Sequence, residues 1–249
     1  MEPSAYILLI IAALVPAVLY MLYVISFDRR QPEPALALVS SAIVGMVAGF
    51  AVTKMGLSQD LGSLMATAAH DLKESAVVGF LRLAVPAEII KWVALIIFLS
   101  LNRYFDEYVD GIVYSTCLAM GFAGVWGVWF CSDVIRPLLP SLMEQAVFLF
   151  LILVPIHLAS GTMMGYFFGL ARDKKYKLLN SLKALFLAIL VDGLLCSLVF
   201  FIGNSWTYYF ILGILFSILS MVFYTQIYHL LEKDVEEAKE NGQKRGENS

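Results

Sequence analysis

Four ionisable residues lie deep inside long apolar stretches of this chain: Glu88 and Lys91 within residues 77–101, His157 within 145–171, and Asp192 within 181–203. A charge near the centre of a bilayer costs roughly 2.5–3.5 kcal/mol on insertion scales, so each asks for a partner or a water-filled cavity. Glu88 and Lys91 are three residues apart, which puts them on one helical face about one turn from each other. Each of the four sits near the middle of its stretch, so all four could share one layer. Glu, His and Asp ligate divalent metals and act as general bases, and the chemistry such a layer suggests is hydrolysis. The same residues also describe a buried ion-pair network that holds a bundle together, with Lys91 matched to Glu88 or Asp192. Periodicity does not separate the two readings.

The elements that must carry these residues are membrane spans. Of 249 residues, 60% are hydrophobic and only 15% charged, which excludes an ordinary soluble domain. A spanning helix needs roughly 20 apolar residues, and seven stretches meet this: 5–26, 35–53, 77–101, 109–130, 145–171, 181–203 and 206–229. The sequence therefore predicts an all-α polytopic integral membrane protein, a bundle of about seven transmembrane helices in the lipid bilayer. Seventeen Lys and Arg against twenty Asp and Glu leave no basic stripe, and nucleic-acid binding drops out.

Twelve basic residues fall on the side of the loops near 27–34, 102–108 and 172–180 and of the C-terminal tail, while Lys54, Lys73 and Arg136 fall on the other. Basic residues in short loops stay cytoplasmic, so the N-terminus is expected outside and the C-terminus in the cytoplasm. Residues 1–230 read as a single transmembrane domain and 231–249 as a charged cytoplasmic tail, a helical extension that frays. Residues 57–76 mix apolar and charged positions and read as a helix at the outer interface. Cys117, Cys131 and Cys196 lack any CxxC spacing, against a disulfide framework or zinc knuckle. Small residues at spacings of four mark close helix packing: Ser41, Gly45, Gly49; Gly111, Ser115, Ala119, Ala123, Gly127; and Gly161, Gly165, Gly169.

Five motifs, in order, resemble those of the PrsW family of intramembrane proteases. FDRRQPEP at 27–34 is similar to the family's Pro-Glu-Pro element, and VPAEIIK at 85–91 to its EExxK element. FDEYVDGIVYSTCLAMGFA at 105–123 resembles the stretch leading a DGivY segment into GFAxxEN. PIHLASGTMMGYFFG at 155–169 resembles the His element and Gly-rich helix, and AILVDGLLC at 188–196 lies where the family has HxxxN. The departures fall on the chemistry. Ala87 stands for the first Glu of EExxK, Trp126 and Gly127 for the Glu-Asn after GFA, and Asp192 and Cys196 for the last His and Asn. Glu88, Lys91 and His157 carry over unchanged.

The resemblance implies peptide-bond hydrolysis within a single-span membrane substrate, such as an anti-sigma factor, in the bacterial cytoplasmic (inner) membrane. It implies catalytic roles for Glu88, Lys91 and His157. Glu88, His157 and Asp192 would form a reduced ligand set for a divalent metal such as zinc, with one position open for water. Such a hydrolase needs a wet cavity between the third, fifth and sixth spans. The substitutions point toward weakened or lost activity, and the alternative is a non-catalytic pseudoprotease that binds transmembrane segments or scaffolds a membrane complex. Pairing of Lys91 with Asp192 is the favoured metal-free account of the layer.

Overall fold

The computed structural model describes residues 3–27, 32–55, 71–135, 141–172, 177–202 and 206–246. These residues form helices and connecting turns, with seven helices long and apolar enough to cross a membrane. They are α1 (Pro3–Ile25), α2 (Ala35–Thr53), α3 (Leu72–Leu101), α4 (Asp110–Trp129, extended by Phe130–Ile135), α5 (Leu142–Leu170), α6 (Lys177–Ile202) and α7 (Trp206–Gly246). The seven expected spans are all present. Most of the segment 57–76 lies outside the described residues, but from Leu72 onward the chain already belongs to α3. The last helix continues well past 229, to Gly246.

α4 is the hub of the bundle, with α2 and α5 packed against it, α1 alongside, and α6 and α7 against α5. From Asp110 to Gly124 every α4 residue is buried, although the segment is no more apolar than its neighbours. Its smallness explains this: without a hydrophobic driving force in lipid, contact area comes from letting backbones approach. A Cβ on Gly45 of α2 would collide with the Leu118 carbonyl oxygen, and one on Gly165 of α5 would meet Ile112 Cα at 2.6 Å. The α5 stripe therefore seats on the Gly111–Ala119 face of α4, where Ser115 Oγ donates to the Gly161 carbonyl at 2.8 Å. The α2 stripe seats on another face of α4, where Ser41 Oγ donates to the Tyr114 carbonyl at 2.7 Å. That face includes Gly121, close against the Ala42 carbonyl and outside all three predicted stripes.

Three stretches are wound more widely, as π-helix: Val77–Ala84 in α3, Phe130–Ile135 at the end of α4, and Leu149–Leu153 in α5. The α3 and α5 stretches end just before Pro86 and Pro155, each at the start of a regular α-helical run. Proline lacks an N–H, so it frees a carbonyl one turn back, and π turns collect at functional sites. In α5 that carbonyl, Leu151 O, accepts from Ser217 Oγ of α7 at 3.2 Å, and Ser220 Oγ donates to Pro155 O at 2.9 Å. The two helices that carry Glu88, Lys91 and His157 thus change pitch immediately before those residues.

Candidate functional site

Just past Pro86, α3 turns Glu88 and Lys91 inward, and both are almost wholly buried. α5 brings His157 and Ser160, α6 brings Asp192 and Cys196, and α4 closes the layer with Phe122 and Trp126. All four residues expected at mid-depth therefore meet. Glu88, His157 and Asp192 each offer one ligand atom, and these atoms lie within 4.8 Å of one another.

The pairing differs from the one the sequence favours. Lys91 Nζ lies 2.5 Å from Glu88 Oε1, donates to Ser160 Oγ at 3.0 Å and faces His157 Nδ1 at 3.3 Å. Among the described residues its ion pair is with Glu88, and it is His157 Nδ1 that faces Asp192 Oδ2, at 3.8 Å. The reason is geometric: one helical turn on α3 holds Glu88 and Lys91 together whatever α6 does. Asp192 faces the imidazole, Cys196, whose thiol lies 3.3 Å from Asp192 Oδ1 in donor geometry, and the neighbouring carboxylate of Glu88. Ser160, the neutral partner of Lys91, is the residue that sequence reasoning missed. Its signal was its position one turn beyond His157 on the same helix.

Aromatic rings line the layer. Phe122 and Trp126 both meet the His157 ring edge to face, at centroid distances of 5.1 and 5.4 Å. Lys91 Nζ sits 5.2 Å over Phe122, a cation held against the negative face of a ring. Trp126 also stacks on Phe130 at 4.8 Å, and the gap beside it, bounded by Phe148 and Cys196, measures about 10 Å³. That is about the space of one water centre, so this side of the layer is packed closed. On the opposite side, a cavity of about 880 Å³ opens between the ends of α3, α5 and α6. Its α3 lining begins at Ile96, short of Lys91, and Trp92 Nε1 donates to Ser181 O and Oγ between the two at 2.9 and 3.2 Å.

Polar atoms in the layer are left over. Beyond the ion pair, neither Glu88 oxygen accepts a hydrogen bond of good geometry among the described residues, and His157 Nε2 has no hydrogen-bond partner among them. Buried polar atoms without partners are costly, so such a set is suited to holding a ligand. Glu, His and Asp are donors suited to zinc or another divalent ion, and the two atoms outside the ion pair, Glu88 Oε2 and His157 Nε2, lie on two of those residues. The Lys91 ammonium lies among them, and its second partner, Ser160, gives it somewhere to turn.

A separate carboxylate group joins two of the sequence motifs. Glu33 of the Pro-Glu-Pro element lies with Asp106 and Asp110, their ligand oxygens within 4.8 Å, and the Tyr114 hydroxyl donates to Glu33. Asp110 Oδ2 accepts from the backbone N–H groups of Asp106 and Glu107, so it also ties the preceding turn to the start of α4.

The family described as PrsW family intramembrane metalloprotease matches residues 33–228. The chain is 27% identical over 206 residues to "Protease PrsW" of Geobacillus kaustophilus (strain HTA426), covering 81% of this chain and 83% of that one. It is 27% identical over 207 residues to "Protease PrsW" of Bacillus subtilis (strain 168), covering 81% and 86%, and 28% identical over 192 residues to that of Clostridioides difficile (strain 630), covering 75% of each. No solved structure matches. A match through the second to the seventh span, over a bundle that gathers Glu, His and Asp at mid-depth, places this chain in the PrsW family of intramembrane metalloproteases.

Proposed function

We propose that this protein is an intramembrane metallopeptidase of the bacterial cytoplasmic membrane that hydrolyses a peptide bond in a single-span membrane protein. The observation that carries this reading is the buried Glu88–His157–Asp192 group with its unpartnered polar atoms. His157 and Asp192 would hold the ion with the Glu88 carboxylate beside it, and a bound zinc would supply a Lewis acid for the scissile carbonyl and acidify a coordinated water. The chain's own residues do the rest. Glu88 takes a proton from the attacking water as its oxygen bonds to the carbonyl carbon, then returns that proton to the departing nitrogen as the C–N bond breaks. Lys91, held by Ser160, offers an ammonium to the negative charge that develops on the carbonyl oxygen. Trp126 and Phe122 keep the imidazole in one orientation and exclude bulk water from its faces.

Cleavage of a panel of single-span reporters, reconstituted with the purified protein, tests this. Glu88→Gln is expected to lower cleavage by about 100-fold or more, the scale of a lost general base. His157→Ala is expected to remove stoichiometric zinc measured by elemental mass spectrometry. Undiminished cleavage by Glu88→Gln would overturn the assignment.

A second reading has its own support. Trp126 fills with indole the place where the family has a glutamate, and Glu88 is closed in an ion pair at 2.5 Å. On that reading the protein is a pseudoprotease that retains transmembrane segments without cutting them. It predicts wild-type protein with no stoichiometric metal and no cleavage, yet stable co-purification of a single-span client.

A further inference from the structure

The 880 Å³ cavity between the ends of α3, α5 and α6 plays no part in the chemistry above. It lies at the end of the bundle where the basic loops gather. Its walls are apolar, with Leu99, Phe168 and Leu182 among them, and two cations, Arg172 and Lys177, stand exposed at its mouth. Among the described residues neither is paired with a carboxylate; Arg172 lies 5.4 Å over the Tyr108 ring. The neighbouring Asp106, beside the lining residue Phe105, is instead grouped with Glu33 and Asp110. Among the described residues, the mouth therefore carries two cations without a carboxylate partner over an apolar interior.

We propose that this cavity is a binding site for an anionic phospholipid, with its phosphate between Arg172 and Lys177 and an acyl chain between α3, α5 and α6. Basic pockets between spans on the cytoplasmic side are suited to phosphate headgroups. The interior decides between a lipid and an acidic peptide. A peptide segment would bring N–H and C=O groups that need partners away from water. Among the described residues, the lining's two hydroxyls are already engaged: Ser100 Oγ donates to Ile97 O at 2.8 Å, and Ser181 Oγ accepts from Trp92 Nε1. An acyl chain needs no partners. The bound chain would end beneath the Trp92–Ser181 hydrogen bond, so the lipid would brace α3 against α6 one turn from the Glu88 layer.

Native mass spectrometry of the full-length protein in detergent tests the proposal, with phosphatidylglycerol and phosphatidylcholine of matched chains supplied in competition. The wild type is expected to retain phosphatidylglycerol with a preference of roughly tenfold to thirtyfold, the order that two basic residues supply at a membrane surface. Arg172→Gln/Lys177→Gln is expected to abolish that preference. Leu182→Trp, which fills the interior and keeps both cations, is expected to lose retention of both lipids. Absence of a preference in the wild type, or its survival in the double variant, would overturn the proposal. So would retention by Leu182→Trp, which would mean surface attraction alone, or displacement by inorganic phosphate, which would mean the site takes the free anion. None of these readouts depends on proteolysis, so failure here leaves the catalytic reading standing, and the converse also holds.

Discussion

Lys91 is the residue on which the buried layer balances. Its ammonium is the countercharge of Glu88 and touches Ser160 and His157 as well. Removing one partner of a buried ion pair strands the other, at a cost of about 3–5 kcal/mol, whereas removing both is far milder. Lys91→Met should therefore lower the thermal unfolding midpoint in detergent markedly, and Glu88→Gln/Lys91→Met should recover most of the loss. An unchanged midpoint for the single variant would mean that Glu88 finds another partner. The pairing itself was half legible. The three-residue spacing of Glu88 and Lys91 made their ion pair available, yet the presence of a carboxylate on another span made Asp192 look the better partner. Which carboxylate lies within reach depends on the rotation of α6 about its axis, and no local pattern in the sequence records that angle.

Among the elements, the close seams along α4 carry the fold. A methyl group on Gly45 would run into the Leu118 carbonyl, a backbone atom that cannot move without separating α2 from α4. Gly45→Ala is expected to destabilise the bundle by about 1–3 kcal/mol, the usual cost of overpacking. Gly124→Ala makes the control, since its Cβ would meet only Leu14 Cδ2 at 3.7 Å, an ordinary contact. Equal unfolding midpoints for the two variants would refute this account of the seam. The stripes were legible because spacing by four is a helical property visible in one dimension. Gly121 was not, because it stands on a different face of α4 and its partner, Ala42, is two helices away in sequence. The π-helical turns before Pro86 and Pro155 were equally hidden: proline marks where a helix ladder is interrupted, but the widened pitch also depends on neighbours such as Ser217.

For the whole molecule, the charge distribution predicts an orientation that labelling can check. The native cysteines are buried, so single introduced thiols can be read against a quiet background. Met55→Cys, on the sparsely charged side, is expected to react with a membrane-impermeant maleimide added outside intact cells, and Arg103→Cys only after the membrane is opened. The reverse pattern would invert the topology. The solvent, the seven spans, the sorting of basic loops and the depth of Glu88, Lys91, His157 and Asp192 are legible along the chain alone. These are properties of composition and of consecutive residues, and lipid enforces them because every backbone polar group must be satisfied within its own helix. The tertiary structure alone decided that the four residues meet, that Lys91 closes on Glu88 while His157 faces Asp192, that Trp126 seals one side, and that a cation-rimmed cavity opens on the other. Those outcomes depend on how far each helix is turned and slid against its neighbours, and that is settled by all the side chains at every seam together.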